Sequence, residues 1–141
     1  MKKIPRTPST KRVAILAHKQ DRVLRGRFCS HFADLQGDGL VELVDGTQGA
    51  DCTVVLLSPS LISSPLGEIP DYLVRNGYPV ILVRLREVSP RDLAPFGGQV
   101  ILPRDGQSVS QHSDKDRTFC DIVSEVEGFL ASPRFTQRRL R

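Results

Sequence analysis

The chain has 141 residues, 39% of them apolar and 26% charged, which is the size and composition of one globular domain with a single core. No run of eighteen apolar residues occurs, and Met1-Lys2-Lys3-Ile4-Pro5-Arg6 continues into Thr7-Pro8-Ser9-Thr10 instead of an apolar signal core, so a soluble, cytoplasmic protein without membrane contact is expected. The net charge of +4 divides into an acidic body, residues 13–130, with eleven basic and sixteen acidic groups, and basic ends, residues 1–12 and 131–141, that together carry +9.

After the basic leader, Val13-Ala14-Ile15-Leu16-Ala17 is a short apolar run of the kind found in a strand buried on both faces of a sheet. From Asp21 to Leu35 the residues Val23, Leu24, Phe28, Phe32, Ala33 and Leu35 recur every three to four positions between charged ones, which predicts one amphipathic helix stopped by Gly37 and Gly39. Leu40 to Asp45 alternates partially and reads as an edge strand; Gly46 to Ala50 is a turn-rich break. Asp51-Cys52-Thr53-Val54-Val55-Leu56-Leu57 is apolar and β-branched throughout and is expected at the centre of the sheet. Ser58 can cap a helix after it, one that Pro65 and Pro70 keep short or broken. Pro79 to Leu85 is another buried strand, and a long loop from Arg86 to Gln99 leads to Val100-Ile101-Leu102, closed by Pro103. Asp114 to Leu130 aligns Phe119, Ile122, Val123, Val126, Phe129 and Leu130 on one face of a final helix, with Ser113 as its cap. Five strands alternating with helices imply an α/β fold, a flavodoxin-like, mostly parallel sheet with helices on both faces. Ligands and partners of such sheets meet the loops at the strand carboxyl ends, here His18 to Arg22, Asp45 to Gly49, Ser58 to Ser64 and Arg86 to Gly98.

Several chemistries find no support. Cys29, Cys52 and Cys120 are far apart, have no CxxC spacing, and read as buried free thiols; with only His18, His31 and His112 beside them, no metal site is expected. Phosphate-cradling loops and a serine-hydrolase elbow are missing, and a phospho-acceptor receiver would carry Asp where Ser58 follows the central strand. Asp114, Asp116 and Asp121 suit a helix start better than a cation site. Nucleic-acid binding would rest on the basic ends alone, since the body's aromatics are not interleaved with basic residues.

Three segments together carry a family resemblance: Val13 to Asp21 with its His18-Lys19 step, Gly39 to Leu43 followed by Asp51 to Ser64 with its Ser58-Pro59 helix start, and Pro95-Phe96-Gly97 through Leu102-Pro103-Arg104-Asp105-Gly106 to Asp116. In order and spacing, residues 13–130 resemble a Toll/interleukin-1 receptor (TIR) domain of the bacterial type. The resemblance implies a module that associates with itself or with a protein partner through its strand-end loops, as a subunit or adaptor in a bacterial immune, antiphage or signalling assembly. It also implies NAD⁺ as the substrate of those members that are glycohydrolases; no bound cofactor is expected. Those enzymes use a carboxylate on the helix after the Ser-Pro start to stabilise positive charge on the ribose as nicotinamide departs.

This sequence departs from that pattern twice. By direct counting the catalytic carboxylate position falls on Pro70, which cannot do the chemistry; Glu68 could replace it if the helix shifts register, and Asp71 is the other nearby carboxylate. Between Asp45 and Asp51 only Gly46-Thr47-Gln48-Gly49-Ala50 intervene, where the family has a long loop and a helix. The helix after the second strand is therefore expected to be missing. An extended link of this length reaches about 20 Å, and one sheet face near Val41, Leu43 and Val55 is expected to lie partly uncovered, open to a partner. Together these readings favour a catalytically impaired association module, with an NAD⁺ glycohydrolase using Glu68 as the alternative.

Overall fold

The computed structural model describes residues 10–132; the rest of the basic leader, and the basic tail from Pro133 onward, lie outside the described residues. Five parallel strands, β1 (Lys11–Leu16), β2 (Val41–Val44), β3 (Cys52–Leu57), β4 (Val80–Arg84) and β5 (Val100–Leu102), form one sheet in the order β2-β1-β3-β4-β5. This is the flavodoxin-like winding, and every residue of β3 is buried because a strand flanks it on each side and helices cover both faces. Alternation along the strands sends Val13, Ile15, Val54, Leu56 and Val83 to one face and Val55, Leu57, Val80 and Leu82 to the other, which makes two cores.

The first face is covered by α1 (Arg22–Ser30), α2 (Ala33–Gly37) and α6 (Lys115–Leu130). The single helix expected over residues 21–35 is two. The amides of His31 and Phe32 bond back only three residues, to Phe28 and Cys29, and the Ser30 hydroxyl donates to the Arg27 carbonyl at 2.6 Å. This tightened turn swings Phe32 inward, where it meets Phe28 edge-on with 5.3 Å between ring centroids; both rings are fully buried. Asp114 caps α6 through the Arg117 amide, at 3.0 Å, in place of the expected Ser113. Cys52 is buried and Cys29 half-buried, but Cys120 is exposed, so burial does not extend to all three thiols: the inward stripe of α6 runs through Phe119, Ile122, Val123 and Val126 and leaves position 120 outside.

The second face holds α3 (Pro59–Ser63), α4 (Glu68–Arg75) and α5 (Pro90–Leu93), the last lying inside the stretch expected to be a long loop. Ser58 caps α3, its Oγ accepting the Leu61 amide at 3.2 Å. Pro65 separates α3 from α4, while Pro70 sits in the first turn of α4, where a missing N–H costs nothing.

No helix follows β2, as the short spacing requires. Register explains how seven residues make the crossing: Val44 at the end of β2 pairs with Ala14, and Cys52 at the start of β3 pairs with Val13. The link therefore only steps across β1, about 10 Å for two strand spacings, instead of running back along the sheet. Asp51 fastens it, its amide donating to the Arg12 carbonyl at 2.7 Å and its carboxylate accepting the Arg12 amide at 2.7 Å. The Arg12 guanidinium reaches Gly49 O at 3.4 Å, and Gly49, at φ +79°, provides the left-handed turn. The expected uncovered face is corrected by this arrangement. Val41 is 4% exposed and points with Leu43 to the opposite core, beneath the first-face helices, and Val55 is 0% exposed.

Candidate functional site at the strand ends

In this strand order the winding reverses between β1 and β3, and the crevice above that point is where such sheets hold ligands. Three side chains fill it. Asp21, just ahead of α1, is 2% exposed and makes no cap bond to its own helix; its Oδ2 accepts the Ser58 hydroxyl at 2.6 Å and its Oδ1 accepts Arg86 Nε at 2.7 Å. Ser58 is fully buried directly after β3. Arg86 is brought over β3 because the amides of Leu85 and Arg86 both donate to the Leu57 carbonyl, at 3.1 Å each. The chain ends of β1, β3 and β4 are thus tied together by one carboxylate.

The chemistry open to this cluster follows from its hydrogen bonds. Ser58 spends its hydrogen on Asp21 and a lone pair on the Leu61 amide, so it is held as a cap and a cross-link rather than as a nucleophile. Each Asp21 oxygen has a partner and the group lies out of solvent. Around it the exposed strand-end surface carries Lys19, Gln20, Pro59, Arg86 and Glu87. His18 Nδ1 accepts the Gln20 amide at 3.1 Å, and Ser60 reaches Gln20 at 3.4 Å, which fixes the shape of that surface.

Glu68 is the first residue of α4, exposed, and its side chain has no hydrogen bond or ion pair among the described residues. It does not line the cavity beside the end of β3. Pro70 does: it is buried in the wall of that 210 Å³ cavity, where Asp71 also stands, held by Arg75 at 2.8 Å. The two carboxylates nearest the expected catalytic position are therefore a solvated one and an ion-paired one. Among the described residues no three His, Cys, Asp or Glu side chains converge as metal ligands, and no helix is long and apolar enough to cross a membrane.

Elsewhere, burial, with the neighbouring Asp51 carboxylate, pushes the Cys52 thiol up to about 12, and burial raises Cys29 against the opposing pull of Arg25. Asp116 is held below its ordinary value by hydrogen bonds from Arg27 and His31, which it meets at 3.1 and 3.3 Å. The sequence placed all three in strand-end loops, with Asp21 also opening the first helix and Ser58 as a cap, but did not join them into one cluster. The available signal was that all three stand just past the ends of strands expected to be adjacent. Compared with protein-family models, curated proteins and solved structures, the chain matches none of them.

Proposed function

We propose that this chain is a TIR-like association module, a subunit or adaptor of a bacterial immune or signalling assembly, which docks through its strand-end loops and does not hydrolyse NAD⁺. The observation that carries the reading is the Asp21–Ser58–Arg86 cluster, which closes the strand-end crevice with the chain's own groups. The exposed side chains around it, Lys19, Gln20, Pro59 and Glu87, offer a polar surface of the kind a protein partner covers. Pro70 in place of a carboxylate, and Glu68 outside the cavity that Pro70 lines, support the same reading. A cytoplasmic location goes with it, since three unpaired thiols suit a reducing compartment.

Size-exclusion chromatography with light scattering tests the docking surface. The wild type should self-associate with rising concentration, or bind a protein partner, and Lys19→Glu with Glu87→Lys should weaken that association. Both residues are exposed, and the one bond lost, from Gln111 Nε2 to the Glu87 carboxylate at 2.9 Å, is exposed too, so the fold is expected to persist, as circular dichroism would check. An assembly insensitive to this double reversal contradicts docking through the strand ends, and a chain that stays monomeric and captures nothing contradicts the association reading itself.

A further inference from the structure

We propose that the outer face of α1 and α2 is the surface on which a second copy of this chain packs, antiparallel and about a two-fold axis. The inference extends the association reading, on which it rests, from the strand-end loops along α1, and it names the partner. Leu24 and Phe28 hold one side of α1 to the sheet. The other side is uncovered among the described residues: Val23 is 71% exposed, more than any other large apolar side chain there, and Gly26, Ser30 and Ala33 are exposed with it.

The two ends of this face carry opposite charge. Lys19, in the turn that enters α1, and Arg22, its first residue, stand at one end; Asp34 and Asp38, in α2 and at its C-cap, stand at the other. All four are exposed, and none of their side chains has an ion pair or hydrogen bond among the described residues. Within one copy these positions are unfavourable. A cation at a helix start and an anion at a helix end oppose the helix dipole, and carboxylates four residues apart repel each other. A second copy turned end for end brings each cation to an anion. Lys19 then meets Asp38 and Arg22 meets Asp34, and both pairs recur at the far end because a two-fold contact uses each of them twice. In the same register Val23 meets Ala33 and Gly26 meets Ser30, which puts small and apolar groups in the middle and charges at the rim. Gly26 points the same way. Glycine inside an exposed helix is destabilising, and nothing lies within 4 Å of the place its Cβ would take, so packing within one copy does not call for it. In the paired arrangement it sits next to the axis, where the two backbones approach most closely.

The test is the molar mass of the full chain, read by size-exclusion chromatography with light scattering over a concentration series, with circular dichroism on every variant. The wild type should rise with concentration to the mass of two chains. Gly26→Gln adds a better helix former in open space, so it should fold as the wild type does and remain monomeric. Arg22→Asp and Asp34→Arg should each weaken the dimer about tenfold, since either reversal acts at both ends, and the double variant should return to within about threefold of the wild type. A mass that climbs past two chains, an assembly that tolerates Gly26→Gln, or a double variant no tighter than the single ones overturns this surface and leaves the association reading standing. A chain that is monomeric alone yet binds another protein also overturns it without touching that reading. A chain that is monomeric and binds nothing overturns both.

Discussion

Replacing Asp21 by Asn keeps the shape of the side chain and removes the charge that three chain segments share. The carboxylate is 2% exposed and accepts Ser58 at 2.6 Å and Arg86 at 2.7 Å. A hydrogen bond to a charged group contributes about 1.5 to 3 kcal/mol. The Ser58 bond counts at full value because Ser58 is fully buried. The Arg86 bond is discounted to about 0.5 to 1 kcal/mol, since the guanidinium side chain is 45% exposed and rehydrates when released. The Asn amide still accepts from one partner but points its NH₂ at the other, so a net loss of about 2 to 3 kcal/mol is expected. In urea unfolding followed by circular dichroism, that loss lowers the midpoint by about 1 to 2 M at an unchanged slope. Ser58→Ala on the Asp21→Asn background should cost about 1 to 2 kcal/mol less than on the wild type, because the two residues share one bond. A midpoint within about 0.2 M of the wild type, together with strictly additive costs, would refute the claim that the cluster locks the strand ends.

Cysteine labelling at neutral pH should proceed at Cys120 first, more slowly at half-buried Cys29, and at Cys52 only on unfolding, since its thiol is pushed up to about 12; mass spectrometry of timed samples reads the order, and early labelling of Cys52 contradicts its burial. Gly67→Ala places a Cβ 2.5 Å from the Ile62 carbonyl oxygen, so the α3–α4 turn must shift at a cost of about 1 to 3 kcal/mol, visible as a lower melting temperature; an unchanged melt would show that the turn is not tightly nested. Asp116 has a folded-state pKa below its ordinary 3.8, so it stabilises the fold above that value and the contribution disappears as the pH falls through the folded-state value. Asp116→Asn should therefore melt slightly lower than the wild type at neutral pH and converge with it in acid; a difference that persists at the lowest pH would mean the effect is not electrostatic.

Hydropathy was enough to place the five strands, because strands buried on both faces need apolar residues at every position, as β3 shows with six buried residues in succession. The absence of a helix after β2 was equally legible, since residues 45–51 are too few to contain one. Stagger was not legible. That β2 ends level with the start of β3 is a register property, and no local pattern encodes it; the expected uncovered face near Val41, Leu43 and Val55 disappeared for that reason. The α1–α2 break was hidden for a related reason, since Phe28 and Phe32 keep helical spacing while a tightened turn between them does the packing. At the site, counting along the chain fell on Pro70, which stands in the cavity wall, while Glu68 entered only as a nearby carboxylate, and counting could not show that it lies at a solvated helix start. The Asp21–Ser58–Arg86 cluster joins residues 37 and 65 positions from Asp21, distances over which only the fold brings side chains together.

The central claim, association without NAD⁺ hydrolysis, is tested most directly by nicotinamide release from NAD⁺, measured at the highest protein concentration attainable with Glu68→Ala alongside. The account predicts no release above background from either protein, with association intact in both. Release by the wild type that is lost in Glu68→Ala would contradict it and make the chain a glycohydrolase whose carboxylate acts from the solvent-exposed start of α4.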